Sequence, residues 1–501
     1  MIVTRRTMAI AAVLTLAATG MFAADVRRPD LQVRHDAADL KVRPTYSTAP
    51  DAPTFVDVAP IVYGNCTTCH RPGQSAPFSL MSYDDVRKRG RTIVDVTSRR
   101  YMPPWHASRA DGFPEFLDER RLTDAHLDTL TRWVDGGMPL GDASKIPAPP
   151  TFPAGWALGE PDLVVTLPRP IAVPAESQDL YRNVTLTVNA PDDRWITAID
   201  YQPSARSVVH HALYFVSPAG VAVGDDEAIP GLGGLARGAR AGAAGAGGAG
   251  RGRGLLQGRG AQGQAGGALA GAGESSSGLG GWVPGVTPRF YPDGIAQPFP
   301  KQSNLILQLH LHPSGKAETE NGKIAIYFSK TPPSKSLSGI QVPPVFGFAA
   351  GIDIAAGEKR FVIRDSFELP VDVQSYGARG HAHYLAREMK MTAKLPNGKT
   401  QGLLWIKDWD FGWQDSYFYK TPFALPKGTK IETEIIYDNS DANPRNPHSP
   451  PQAVRWGRGS FDEMGSMTLL IASPPGADGD TLREAQATHF RQQLLRQLMR
   501  R

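Results

Sequence analysis

From about residue 160 onward, the chain is a succession of short apolar or alternating segments separated by proline, glycine, asparagine and aspartate. Each segment has the length and the β-branched content of a strand, and turn residues recur before a helix-length segment can develop. Strands that alternated with helices would instead predict a parallel sheet. The pattern therefore predicts antiparallel β-sandwiches. The segments are DLVVTLP, NVTLTV, WITAIDY, NLILQLHLH, KIAIYF, MKMTAKL and KIETEIIYD.

The length of the chain and the breaks in its composition predict several domains. At 501 residues the chain is too long for a single core. A block with helical periodicity precedes the strands and closes with a predicted helix, for which Thr123 is the N-cap and Gly136 the stop. The proline-rich break KTPPSKSLSGIQVPPVFG divides the strand-rich region in two. The predicted fold is multidomain, with a small all-α domain followed by two all-β antiparallel sandwich domains of jelly-roll-like type.

The predicted boundaries follow these breaks. They are a signal peptide at 1–24, a tether at 25–53, the all-α domain at 54–143, the N-terminal sandwich at 155–345, the C-terminal sandwich at 346–478 and an amphipathic helix at 479–501. Residues 224–281 are rich in glycine and alanine with scattered arginine. Because they lack the apolar side chains needed to offset ordering, we predict a disordered insert in the first sandwich.

The amino terminus indicates export. Arg5 and Arg6 precede the apolar run MAIAAVLTLAATGMFAA, which is short for a membrane span and typical of a signal peptide. A retained anchor is the alternative. No later segment is long and apolar enough to span a bilayer, so we expect a periplasmic or secreted protein with no membrane span in the mature chain. The formal net charge of +5 is small for this length, and nucleic acid is not an expected partner.

Both cysteines of the chain lie in the motif CTTCH, residues 66–70. The spacing C-x-x-C-H is typical of covalent haem attachment, with Cys66 and Cys69 bonded to the haem and His70 as an iron ligand. A redox or zinc-binding C-x-x-C is the alternative, but zinc would need a further pair of ligands that this block lacks. The motif therefore predicts a haem c.

The second axial iron ligand is expected downstream, in a loop. Met102 in RRYMPPWH is the first candidate, because the prolines that follow it favour an extended loop. Met81 and His106 are the alternatives. The block resembles the small single-haem cytochrome c domains, which carry one electron at a time, so we expect it to deliver electrons rather than to perform the chemistry.

Six of the twelve histidines form three pairs within the strand-rich region. The pairs are His210 with His211, His310 with His312, and His381 with His383. Two histidines separated by one residue on a strand share a face about 7 Å apart, which suits binding of one metal ion. Imidazole suits copper, zinc or iron, and a thioether favours Cu(I). A purely structural role in the core is the alternative.

Four segments then carry a specific resemblance. VVHHALYFV, LILQLHLHP, GHAHYLAREMKM and SFDEMGSM occur in this order. Together they resemble the four motifs of the copper type II, ascorbate-dependent monooxygenases, the family of peptidylglycine and dopamine hydroxylases. They resemble more closely the bacterial relatives that carry a cytochrome c domain in front. The resemblance covers roughly residues 160–475.

The resemblance implies two copper ions, one in each sandwich, with solvent between them. The residues that match the electron-receiving, all-histidine copper site are His210, His211 and His310. The residues that match the second copper site, where the family binds and activates O₂, are His381, His383 and Met464. Because the family places both adjacent histidines on one metal, the strand must bulge or twist at that point.

Three features lie beyond these six ligands. His312 could replace His310 or support the site from outside. Arg379 matches an arginine that anchors a substrate carboxylate in the peptide-amidating members, but Thr468 stands where those members have the partner tyrosine. The aromatic run WIKDWDFGWQDSYFY is either a substrate platform or, as its strand-like spacing favours, sandwich core. Unlike the disulfide-rich animal enzymes, the strand-rich region has no cysteine.

We therefore expect an exported haem- and copper-dependent monooxygenase that hydroxylates a C–H bond with O₂. Its substrate would be a small molecule or a peptide, and an external electron donor would supply electrons that the fused cytochrome c relays. The alternative is a haem–copper electron-transfer or copper-binding protein without hydroxylase activity.

Overall fold

The computed structural model describes residues 52–217 and 279–499, except residues 75, 178, 287, 458 and 475. The predicted signal peptide, the tether up to residue 51 and residues 224–278 of the predicted insert lie outside this part of the chain. The described residues form mostly β-sheet, together with four α-helices. None of the described helices combines the length and the apolar character that a membrane crossing needs.

Three helices near the start of the described chain surround one small core. The helices are α1 (Phe55–Asn65), α2 (Tyr83–Ser98) and α3 (Asp124–Asp135). The Thr123 side chain accepts the backbone N–H of His126, and Gly136 follows the last helical residue, so the predicted cap and stop of α3 are confirmed. The core contains Phe55 and Trp133, whose ring centroids are 6.0 Å apart. A final helix, α4, spans Gly476–Met499.

The first β body consists of antiparallel sheets. Its strands are β1 (Leu163–Thr166), β2 (Ile171–Val173), β3 (Leu180–Thr187), β4 (Arg194–Gln202), β5 (Val209–Ser217), β6 (Gly281–Trp282), β7 (Gln297–Phe299), β8 (Asn304–Leu311), β9 (Glu318–Glu320) and β10 (Lys323–Phe328). One sheet has the order β1-β10-β4-β7, a second has the order β3-β8-β5-β6, and β2 pairs with β9. The two four-stranded sheets enclose a core that includes Leu186, Leu307, Ile196 and Ile324.

The second β body repeats this architecture. Its strands are β11 (Leu337–Val342), β12 (Asp353–Ile354), β13 (Phe361–Glu368), β14 (Val373–Ala382), β15 (Ala386–Lys394), β16 (Thr400–Ile406), β17 (Ser416–Leu425), β18 (Lys430–Tyr437), β19 (Val454–Arg455) and β20 (Gly465–Ala472). The sheets have the orders β11-β20-β14-β17 and β13-β18-β15-β16, and β12 pairs with β19. Both bodies are therefore antiparallel, as the turn-rich pattern predicts.

Two strands do not alternate between apolar and polar residues, because each lies in the middle of its sheet. β8 lies between β3 and β5, and β20 lies between β11 and β14. Every residue of β20 is buried, and so is every residue of β8 after Asn304. A strand covered on both faces is apolar throughout rather than at alternate positions. Short 3₁₀ helices occur at Ala143–Lys145, Pro292–Gly294 and Val345–Gly347.

Two segments pack elsewhere than the predicted boundaries imply. β11 pairs with β20, Ile340 opposite Leu469, so the second body begins before residue 337 rather than at residue 346. Within the predicted all-α block, Trp105 and Phe116 bury their side chains in the core of the second body. Proline and glycine around β11 made this segment resemble a break between domains, although it supplies Ile340 and Val342 to the second core.

Candidate metal centre

A bulge in β5 brings the adjacent histidines together. In the ladder with β8, Val209 lies opposite Leu311, and His211, two residues on, lies opposite His310. His210 is therefore the extra residue, and an extra residue lets two neighbouring side chains share one side of a strand. The bulge that the resemblance implies is present. The imidazoles of His210, His211 and His310 converge, with one ring nitrogen of each within 4.8 Å of the others.

The converging atoms are Nδ1 nitrogens. The distance from His210 Nδ1 to His211 Nδ1 is 3.2 Å, and from His211 Nδ1 to His310 Nδ1 it is 3.4 Å. Two nitrogens that each bind one metal at about 2.0 Å lie about 3 Å apart, so the spacing fits shared coordination. Burial lowers the pKa of all three imidazoles, which keeps them in the neutral form that a metal binds.

Asp179 orients the third histidine. His310 Nε2 donates to Asp179 Oδ2 at 2.7 Å, so its Nδ1 lone pair points to the cluster. His312 Nδ1 donates to the other oxygen at 2.6 Å, and its side chain is 48% exposed. The structure thus places His310 in the cluster and His312 outside it. Burial alone would raise the pKa of Asp179, but these hydrogen bonds hold it far below its usual value.

The sequence analysis missed Asp179 because nothing local marks it. Its partner His310 is 131 residues away, and an isolated aspartate before a strand is most simply interpreted as a turn residue. The paired strands β3 and β8 place Tyr181 opposite His310, and the two rings stack at a centroid distance of 4.4 Å. Ser460, from the second body, donates to Asp179 Oδ2 at 2.7 Å, so Asp179 contacts both β bodies.

The second predicted set lies at the end of the β14–β20 ladder. His381 and His383 are two positions apart and therefore share a face. His381 pairs with Ser466 and Ala382 with Gly465, where the ladder ends, and His383 and Met464 are the next residues of the two segments. Met464 is thus a buried residue at the same end of the ladder as both histidines.

In this second set, hydrogen bonds occupy Nδ1 of each imidazole and leave Nε2 free, whereas the first set presents Nδ1. His381 Nδ1 donates to Gln414 Oε1 at 2.7 Å, and His383 Nδ1 donates to the carbonyl of Asp462 at 3.0 Å. Both Nε2 lone pairs are therefore available for a metal. Burial lowers the pKa of His381 to about 4 and that of His383 to about 3, so both rings are neutral.

Phe411 contacts both histidine sets. Its ring centroid is 4.8 Å from that of His210 and 5.3 Å from that of His383. The side chain is buried, with 3% exposure. The resemblance implies solvent between the two metal sites, whereas in this structure a shared aromatic ring lies against an imidazole from each.

A cavity of about 130 Å³ opens between the two β bodies. Its lining includes His211 from the first set and His381 from the second, together with Arg379 and Tyr291. Burial lowers the pKa of the Arg379 guanidinium, and the described residues offer it no hydrogen bond or ion pair. Arg379 lies opposite Thr468, the position where the peptide-amidating members have tyrosine.

The aromatic run WIKDWDFGWQDSYFY contributes mainly to the sandwich core. Trp409, Tyr417 and Tyr419 belong to the core of the second body, as the strand-like spacing favours. Phe411 instead contacts the histidine sets, and Trp413 lies on the side of the helical block. Most of the run is core, but the loop between Trp409 and Tyr417 is not.

The CTTCH motif follows directly from α1, whose C-cap is Cys66. His70 Nδ1 donates to the carbonyl of Phe78 at 3.2 Å, so Nε2 is free, as an axial haem ligand requires. Both thiols are free, and burial raises the pKa of Cys66 to about 12. Two unpaired thiols and an oriented imidazole are the groups that a haem c needs.

The candidates for the second iron ligand lie around α2. Met81 precedes the helix and Met102 follows it, and both are half-buried. His106 hydrogen-bonds to the backbone of Asp408, and its neighbour Ala107 pairs with Ile406 of β16. His106 is therefore engaged by the second β body, which leaves the two methionines as candidates.

Comparison with protein-family models and with curated proteins finds no match. Among solved structures, one of PNGF-II is 11% identical, with 62% of this chain and 65% of that chain covered and a TM-score of 0.25. The chain thus spans less than two thirds of that structure. A likeness at this score carries no argument about fold or activity.

Proposed function

We propose that this chain is a haem- and copper-dependent monooxygenase of the family that its motifs resemble. The observation that carries the proposal is a pair of buried, neutral histidine sets that border one cavity and use opposite ring nitrogens. The first offers the Nδ1 atoms of His210, His211 and His310. The second offers the Nε2 atoms of His381 and His383, with Met464 at the same end of the strand ladder.

The donor types support copper at both sites. Three imidazoles suit either copper oxidation state, and the thioether of Met464 favours Cu(I). Bound copper would supply one-electron redox chemistry and activation of O₂. The reaction inserts one oxygen atom into a substrate C–H bond, and two electrons and two protons from outside reduce the other atom to water.

The protein's own groups hold the donors and shape the cavity. Asp179 orients His310, and Gln414 and the Asp462 carbonyl orient the second pair. Such supporting hydrogen bonds fix the ring orientation and the tautomer of a ligand. Phe411 excludes water from the faces of His210 and His383 that it covers.

Arg379 supports a substrate that carries an anionic or strongly polar group. The guanidinium borders the cavity two residues before His381, and the described protein supplies it with no anion. The side chain is half-buried, and a substrate carboxylate would supply the charged partner that it lacks. The remainder of the lining is largely apolar, with Trp282 and Phe418 among its side chains. A small molecule or a peptide end fits this environment.

The helical block supports a role in electron supply. Cys66 and Cys69 would form the thioether bonds to a haem c, and His70 Nε2 would bind its iron. A haem held in this way accepts and gives single electrons. It would pass to the copper sites the electrons that an external donor provides.

Copper content and oxygen consumption test the proposal. We expect the copper-loaded protein to bind two copper ions and to consume O₂ with formation of a hydroxylated product. Met464→Ala should abolish the consumption while the haem spectrum is retained, and His312→Ala, outside the cluster, should not. Absence of copper from the β bodies would refute the proposal. Copper binding and haem oxidation without any product would favour the electron-transfer alternative.

A further inference from the structure

We infer that Trp413 and Gln414 form an electron bridge from the haem thioether at Cys69 to the metal at His381. Electrons would then enter at the methionine-containing site rather than at the all-histidine site that the resemblance assigns to electron entry. The inference rests on the proposed function, because it needs a haem at Cys69 and copper at His381. It concerns which residues of this chain connect the two.

The first contact is at Gly285, where the helical block meets the β bodies. A Cβ atom placed on Gly285 would lie 2.6 Å from Cys69 Sγ and 3.6 Å from two ring carbons of Trp413. Thiol and indole therefore both lie next to the position that a Gly285 side chain would occupy. Gly285 also has a φ of +83°, which favours glycine, so no side chain stands between the two groups.

The second half of the bridge is short. Trp413 is bonded to Gln414, and Gln414 Oε1 accepts from His381 Nδ1 at 2.7 Å. From Cys69 to His381 there is thus one through-space gap and one hydrogen bond, and all other steps are covalent. The same loop reaches the all-histidine site only through two further residues, Gly412 and Phe411, and a ring contact of 4.8 Å to His210.

Arg120 fixes this junction and determines how the indole acts. Its guanidinium donates to the Gly285 carbonyl at 2.9 Å and to Asp415 Oδ2 at 3.1 Å. It also lies 4.8 Å from the centre of the Trp413 ring. A cation at this distance opposes removal of an electron from the ring. The buried indole N–H has no acceptor among the described residues, so it cannot lose its proton either.

Trp413 therefore bridges electron transfer without being oxidised itself. With both groups bound, one electron would pass from a ferrous haem held by Cys69, which would become ferric, to Cu(II) held by His381, which would become Cu(I). No proton is transferred in this step. The external donor then returns the haem to the ferrous state for the second electron.

The test follows the haem in the absence of O₂. A photoreductant pulse reduces the haem of the copper-loaded protein, and its absorbance then reports reoxidation by Cu(II). We expect Trp413→Leu to slow reoxidation by at least an order of magnitude and Trp413→Phe, which keeps an aromatic ring, to slow it less. The matched control is Trp405→Leu, which removes an indole that packs on Lys390 and Lys407, and it should react at the wild-type rate.

Entry at the second site is tested by removing the first. The double variant His210→Ala/His211→Ala, with copper only at the second site, should keep rapid haem reoxidation. Wild-type kinetics in Trp413→Leu, or loss of reoxidation in the double variant, would overturn the inference and leave the proposed function standing. Equal rates with and without copper in the wild-type protein would instead refute the proposed function together with the bridge.

Discussion

His310 donates from Nε2 to Asp179 Oδ2 at 2.7 Å, and this hydrogen bond determines which ring nitrogen of His310 points to His210 and His211. With Nε2 protonated, the lone pair lies on Nδ1, the atom that approaches His211. Asp179 comes from the segment before β3, whereas His310 lies on β8. The ligand geometry of the first site therefore depends on a residue that is not itself a ligand.

Replacement of Asp179 tests this dependence. We expect Asp179→Ala to weaken copper binding at the first site by about 10- to 100-fold, because His310 loses its fixed tautomer. Competition with a copper chelator measures the change. His312→Ala, which removes the other histidine on the same carboxylate, is the matched control and should leave the affinity unchanged. An unaltered affinity in Asp179→Ala would contradict the orienting role.

We expect Arg379 to lower the free energy of unfolding although oxygen consumption requires it. Because the described protein gives this half-buried guanidinium no anionic partner, Arg379→Met should raise the free energy of unfolding by about 1 kcal/mol. The same variant should lose oxygen consumption. Denaturant unfolding measures the first effect, with Arg364→Met, whose side chain is 63% exposed, as the control. A destabilised Arg379→Met protein would indicate that the arginine has a structural partner.

Glu463, just before β20, anchors the turn between β14 and β15. Its carboxylate accepts the backbone N–H groups of His383, Leu385 and Met464. Glu463→Ala leaves these buried donors unpaired and should lower the free energy of unfolding by roughly 3 kcal/mol or more. Glu463→Gln, which keeps an acceptor oxygen, should lower it less. Thermal unfolding provides the measurement. Glu432→Ala, at a side chain 43% exposed, should change stability by less than about 0.5 kcal/mol.

Asp200 should make stability depend on pH. Burial raises the pKa of this carboxyl from 3.8 to about 6, so the folded protein binds a proton that the unfolded chain releases. Stability therefore falls as the pH rises from about 4 to about 6. Asp200→Asn should match the wild type near pH 4 and exceed it by at most about 3 kcal/mol above pH 6. Denaturation of both proteins near pH 4 and above pH 6 measures this difference in stability. A difference that stays the same at both pH values would show that the carboxyl titrates normally.

The elements that follow from local pattern were predictable, and the contacts that join distant segments were not. Alternation and turn residues predict the antiparallel strands, and the cap at Thr123 and the stop at Gly136 predict the last helix of the block. The adjacent histidines predict a bulge only because the resemblance puts both on one metal. In each case the signal lies within a few neighbouring residues.

Asp179, Gln414 and Phe411 were not predictable, because their roles depend on contacts between distant segments. Each acts through a partner at least 28 residues away, and none differs in type from an ordinary turn or core residue. The same reason explains β11, whose apolar positions are recognisable only once β20 lies beside it. Tertiary packing decides such positions, and a single sequence carries no record of the partner.

The segment from Trp105 to Phe116 means that the helical block is not a detachable module. Ala107 pairs with Ile406, Phe116 pairs with Tyr419, and both side chains complete the core of the second body. A shortened protein that began after residue 143 would expose this apolar surface and leave two strands with open edges, which is a setting for aggregation. Exchanging the block for another electron carrier would therefore require the whole segment to be retained, so the two parts must be inherited and engineered together.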